Sequence, residues 1–293
     1  MTIREQKPYS TLILNMMDKL PNINKWRRMF LLETFILFLS IRGRINFLQL
    51  ARYGKYKEQR YRQQFEKRFD FLTFNKELTL SQGSGRYAIA FDPSYVSKSG
   101  KHTPGVGWYW SGCANRGKAL KRNIMLVHVT YSITNGKNAR KLYSSTDISM
   151  DPNDALLYYH SRFLIEFLYR DGKQHTGLND SQARSENKLH FQFNASLTSI
   201  NIAKAIHWLS IPKEERGTFS MADIKTMNHN ILMLNRFFDV FGIYPHSAKN
   251  NKHIRELILY GTMAAKNINE LLTLNTHYQL QPVMNMFCLC KQY

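Results

Sequence analysis

Along Tyr159-His160-Ser161-Arg162-Phe163-Leu164-Ile165-Glu166 and on through Phe167-Leu168-Tyr169-Arg170-Asp171-Gly172-Lys173, one glutamate stands among basic and aromatic residues. At about 100° per residue, Tyr159, Arg162, Glu166, Arg170 and Lys173 share a narrow arc of a helix, with Leu157, Leu164, Ile165, Phe167 and Leu168 opposite. Such a stripe suits a negatively charged partner. The whole chain agrees: 41 Lys plus Arg against 21 Asp plus Glu leave a net charge of +20, a balance fitted to a polyanion, most simply nucleic acid. Read alone, the same spacing also describes a solvated amphipathic helix with Arg162–Glu166 and Glu166–Arg170 pairs, each contributing only a few tenths of a kcal/mol. Upstream, Tyr87-Ala88-Ile89-Ala90-Phe91-Asp92-Pro93 is a short apolar run between Gly85 and Pro93 that ends on an acid. It reads as a buried strand delivering Asp92 where a strand-borne metal ligand would sit, or as a turn Asp before proline.

Tyr159, Arg162, Glu166 and Lys173, at spacings of three, four and seven, resemble the signature around the catalytic Glu of insertion-sequence transposases, specifically the insertion sequence four family. Thr176-Gly177-Leu178, Gln182-Ala183-Arg184-Ser185-Glu186-Asn187-Lys188 and Phe193-Asn194-Ala195-Ser196-Leu197 follow in order and look like its Bacteroides-type members. Ser97-Lys98-Ser99-Gly100-Lys101, with Gly105, Gly107 and Trp108, resembles the segment after that family's first catalytic Asp. The resemblance implies a DDE enzyme, in which three carboxylates on a ribonuclease-H-like fold hold two Mg²⁺ ions about 4 Å apart for phosphoryl transfer. Asp92 and Glu166 become catalytic and metal-binding residues, and Tyr159, Arg162, Arg170 and Lys173 become contacts to transposon-end DNA.

The chain departs from that family at the second carboxylate. No Asp or Glu lies between Pro93 and Thr146, where the second Asp and a β-rich insertion belong. Trp110-Ser111-Gly112-Cys113 passes through a basic loop into Lys121-Arg122-Asn123-Ile124-Met125-Leu126-Val127, which resembles the strand that resumes after the insertion. We infer an internal deletion with its junction near 114–121, removing on the order of 100 residues. Asp147 matches a different family position. Asp151 and Asp154 read as helix-start acids.

The resemblance implies an α/β (α+β) architecture to position these residues: an incomplete ribonuclease-H-like catalytic core with an N-terminal helical domain and C-terminal helices. The expected division is 1–80 for DNA binding and 81–293 for the catalytic domain, lacking the second-Asp strand and the β insertion. In the first part, the apolar run Met29 to Ile41 is a core helix too short for a membrane span. Ile45 to Tyr53, a break at Gly54 and the charged run Lys55 to Arg68 suggest a helix-turn-helix-like unit. Arg60, Arg62, Lys67 and Arg68 there are either phosphate contacts or a solvated basic face, and their clustering points to DNA. In the second part, strands are predicted near Tyr87 to Asp92, Gly107 to Ser111, Ile124 to Ile133 and Arg140 to Ser145. Helices are predicted over Asn153 to Lys173, Ser185 to Leu209, Met221 to Phe241 and Asn251 to Leu272.

Cys113, Cys288 and Cys290 form neither a disulfide framework nor a zinc pattern, and no secretory h-region opens the chain. The expected location is the cytoplasm, with no membrane association. The expected partners are double-stranded DNA at transposon ends and a second copy of the chain on that DNA. The reading is therefore a transposase that binds transposon ends and, in intact relatives, cuts and joins DNA with Mg²⁺; without its second Asp this copy is catalytically impaired. The alternative within that line is a non-catalytic remnant that competes with intact transposase. A basic RNA-binding or structural protein, the reading outside it, leaves the ordered motifs unexplained.

Overall fold

The structure, a computed structural model, describes residues 7–82, 125–132, 138–145, 149–161, 163–242 and 251–263. By contact the chain divides into two compact units, Met1–Tyr87 with Glu166–Tyr293, and Ala88–Ile165.

The first unit is built from helices. They are α1 (Lys7–Asp18), α2 (Lys25–Ser40), α3 (Phe47–Tyr53), α4 (Glu58–Phe65) and α5 (Phe71–Gln82), then, after the second unit, most of α7 (Phe163–His175), α8 (Glu186–Ser210), α9 (Met221–Phe241) and α10 (Asn251–Leu259). Local chemistry sets several ends. Asn24 accepts the Arg27 N–H at 2.8 Å to start α2, and Asn46 accepts the Gln49 N–H at 3.0 Å to start α3. Ser220 opens α9 by accepting the Asp223 N–H at 3.2 Å, and Gly242 closes it in the left-handed region at φ 61°.

Helix α8 runs through the middle of this unit and packs against α1, α2, α4, α5 and α9. A helix wrapped on all sides needs small residues for close approach and partners for every polar group it carries. Ala195, Ser199 and Ala203 supply the first. For the second, Asn75 on α5 donates to Thr198 and accepts from Asn201, both at 2.8 Å, and Thr176 and Ser196 share a hydrogen bond of 2.7 Å. Apolar packing fills the rest. Phe191 lies 4.2 Å from Phe65 and 5.2 Å from Phe71, ring centre to ring centre, and Phe30, Phe35, Phe38, Phe65 and Phe74 are fully buried around them.

The second unit contains β1 (Met125–Ser132), β2 (Asn138–Ser145) and α6 (Pro152–Ser161) among its described residues. The strands pair antiparallel with Met125 opposite Ser145 and Ser132 opposite Asn138. Tyr143 is buried there with Ala155, and its ring meets Tyr159 edge-on at 4.5 Å.

This arrangement overturns the expected α/β ribonuclease-H-like core. Among the described residues the only sheet is the β1–β2 pair, and these residues are otherwise mainly helical. The reason lies in where the C-terminal helices spend their apolar surface. Helices flanking a ribonuclease-H sheet must lay a face on strands, whereas α8 is covered by α1, α2, α4 and α5, and α9 by α2 and α10. The strands expected at Tyr87 to Asp92 and Gly107 to Ser111 lie outside the described residues. α10 also ends earlier than expected, at Leu259, with Gly261 at φ 80° just beyond it. No described helix is long and apolar enough to cross a membrane.

Candidate nucleic-acid interface

The basic run after α3 is held by one inward-facing acid. Glu33, in the middle of α2, accepts from the Tyr61 hydroxyl at 2.8 Å and the Lys55 N–H at 2.5 Å, so one carboxylate ties α2 to the turn and to α4. Burial first, and then the Glu33 charge, push the Tyr61 phenol well above its ordinary range, which keeps it a hydrogen-bond donor at any physiological pH. The turn itself depends on Gly54. A Cβ there would run into the Tyr61 hydroxyl, and would stand 2.7 Å from both Glu33 Oε1 and the Leu50 carbonyl oxygen.

Arg27 fixes the other end of α4. Its guanidinium donates to the Gln64 carbonyl at 2.9 Å, to the Gln64 side chain at 2.8 Å and to the Lys67 carbonyl at 3.0 Å, while lying over the rings of Phe30 and Phe191. Burial, with Arg60 nearby, lowers its pKa to about 10, so it remains a cation at neutral pH. These donors occupy carbonyls at the helix C-terminus, where positive charge is favoured.

On this frame Arg52, Lys55, Lys57, Arg60, Arg62, Lys67 and Arg68 are all exposed. Of the two acids on this stretch, Glu58 stays within it as the ion-pair partner of Arg62, and Glu66 is drawn away. Glu58 accepts from Arg62 at 2.9 Å. Glu66 turns to the start of α8, accepting from Ser185 at 2.7 Å and pairing with Lys188 at 3.1 Å; the Ser185 bond, then the Lys188 bond, hold its carboxyl below the ordinary range. Arg60 therefore lies on an exposed positive surface. Arg62 sits on it too, with its guanidinium 4.8 Å from the centre of the Phe47 ring.

The residues expected around the glutamate fall less neatly together. Glu166 lies exposed in the first turn of α7, and Lys173 exposed in its last. Arg170 lies over the Phe167 ring at 4.8 Å and donates to buried Asp171 at 3.0 Å. Of the apolar side, Ile165 and Leu168 are buried as expected but Phe167 is 45% exposed, and Asp171 is buried as well. Tyr159 is on α6, half-exposed, and its ring is engaged with Tyr143. Asp92 and Arg162 lie outside the described residues. Among the described residues no three His, Cys, Asp or Glu side chains stand together so as to hold a metal ion. Of the two carboxylates expected to hold Mg²⁺, Asp92 and Glu166, only Glu166 lies among the described residues.

Sequence reasoning passed over Trp26, which is 78% exposed in the first turn of α2. The available signal was the Asn24 cap: starting the helix at Lys25 places Trp26 in the first turn, ahead of the buried stretch that begins at Phe30.

The fold and this surface define a mainly helical protein with a rigidly supported basic face. No family model, curated protein or solved structure matches the chain.

Proposed function

We propose that this protein binds double-stranded DNA through the α3–α4 surface, and that it descends from transposases of the insertion sequence four type. The observation that carries the DNA-binding reading is the exposed cation cluster from Arg52 to Arg68, held by Glu33 and Arg27 while Glu66 is drawn off to α8. A flexible basic tail would also attract DNA. Here, however, the charges are displayed on helices locked at both ends, which gives a fixed spacing for phosphate contacts. The ordered motifs from Tyr159 to Leu197 support the descent and make transposon ends the DNA in question. On this reading the protein works in the cytoplasm, with two copies on paired ends, and competes with intact transposase rather than cutting DNA itself.

Binding to a labelled duplex, followed by fluorescence anisotropy across a salt series, tests the proposal. Affinity should fall steeply and log-linearly with salt. Replacing Arg60 and Arg62 together with Ala should reduce the slope by about two, one per lost phosphate contact. A folded protein that fails to bind duplex DNA at low salt would overturn the reading.

A further inference from the structure

Trp26 stands out because of its setting. Single exposed apolar side chains are common and by themselves indicate nothing. This indole, however, is held out from a fixed stretch of backbone: Asn24 caps the helix on one side of it, and the Arg27 side chain is anchored to Gln64 and Lys67 on the other. The same anchor brings the start of α2 against the end of α4, with Arg60 close enough to depress the Arg27 pKa. Lys25 beside it is exposed, and Met29 one turn on is 43% exposed. The acids of α2 and of the end of α1 are already taken, Asp18 by Arg28 and Glu33 by Tyr61 and Lys55. A large aromatic face with the exposed Lys25 beside it and Arg60 near the adjacent Arg27 suits a partner offering a flat π surface and negative charge at once. A nucleobase on its phosphate backbone has both, whereas an apolar protein segment has only an apolar face.

We propose that Trp26 stacks on an unpaired base of DNA held along α4, so that the protein prefers distorted or end-frayed DNA to fully paired duplex. This rests on the DNA-binding reading and adds a structural preference to it. Stacking requires no sequence readout, because every base presents a π face. Charged contacts to the backbone still provide the affinity for paired DNA.

The test uses the full chain with three probes: a paired duplex, the same duplex carrying one unpaired 2-aminopurine, and a single strand of the same sequence. Wild-type protein should favour the 2-aminopurine duplex over the paired one and quench its fluorescence. Trp26→Ala should leave paired-duplex affinity within about twofold, and should lose roughly 5- to 100-fold on the unpaired probe together with the quenching. Trp26→Phe, which keeps a ring and the local packing, should fall between them; it carries the test if the alanine variant fails to fold. Equal affinity of the wild type for paired and unpaired probes would overturn the proposal while leaving DNA binding intact. So would a Trp26→Ala variant that keeps the preference, or one that changes only self-association. Absence of binding to all three probes would instead remove the DNA-binding reading itself.

Discussion

Lys225 is the side chain whose surroundings most oppose its charge. It lies on α9 with 5% exposure, and its ammonium donates to the Phe38 carbonyl at 2.8 Å near the end of α2. Burial pulls its pKa from 10.5 down to about 7, against the pull of Asp180. His175 and His229 are nearby titratable groups, both lowered chiefly by burial and also by the Lys225 charge. The linkage has a definite sign. Between about pH 7 and 10.5 the unfolded chain holds a proton on this lysine that the folded chain has released, so stability rises with pH across that window. Below about pH 7 both states are protonated, and the folded state carries the full burden of a buried cation. Lys225→Met removes the burden with similar volume. We expect the melting-temperature advantage of Lys225→Met over wild type to be largest at or below pH 7 and to shrink by pH 9. A difference independent of pH in thermal melts would refute this account of Lys225.

Among the elements, the α3–α4 turn is the most exposed to a single change. Gly54 is there because three groups, the Tyr61 hydroxyl, Glu33 and the Leu50 carbonyl, converge on the space a Cβ would take. Gly54→Ala should destabilise the unit by about 1–3 kcal/mol or more through overpacking, read as a lower urea midpoint. Duplex affinity should fall with it, since α4 would lose its register against α2. A variant within about 0.5 kcal/mol of wild type would mean that the turn moves aside freely. The elements also separate what was legible in the sequence from what was not. The bounds of α9 could be read directly, because Ser220 and Gly242 are strong local signals, and α8 begins and ends within a residue of its expected span. α5 was obscured by its polar end: Ser81 and Gln82 read as a boundary although Phe71, Phe74 and Leu78 above them are buried. The destination of α8 was not legible at all. A helix with buried residues on every side presents the same pattern whether a sheet or other helices cover it, and only long-range pairs such as Asn75–Thr198 decide. The Arg60 and Arg62 surface followed from local charge density. Its supports, Glu33 with Tyr61 and Arg27 with Gln64, join residues 28 and 37 positions apart and leave no local signature.

For the whole molecule, charge and chemistry part company. A net charge of +20 supports DNA attachment, yet the stretch from Pro93 to Thr146 holds no acid to complete a set with Asp92 and Glu166. Incubation with transposon-end DNA and Mg²⁺ should therefore leave both strands intact, as seen on a denaturing gel, while gel-shift binding persists. Nicking that disappears in Glu166→Ala would show a working catalytic centre and defeat the remnant reading. The hub position of α8 has a further result for how this gene can be shortened. Phe65 and Phe71 are buried against Phe191, and Asn75 finds its partners in Thr198 and Asn201, all more than 100 positions away. A stop codon placed after α5 would strand those aromatic rings in water and leave Asn75 unpaired. Residues 1–87 expressed alone should aggregate, whereas the same residues supplied with 166–293 as a second polypeptide should be rescued by reassembly. The DNA-binding face is thus not a detachable module: a nonsense mutation anywhere ahead of α8 would silence it, although its own codons lie far upstream.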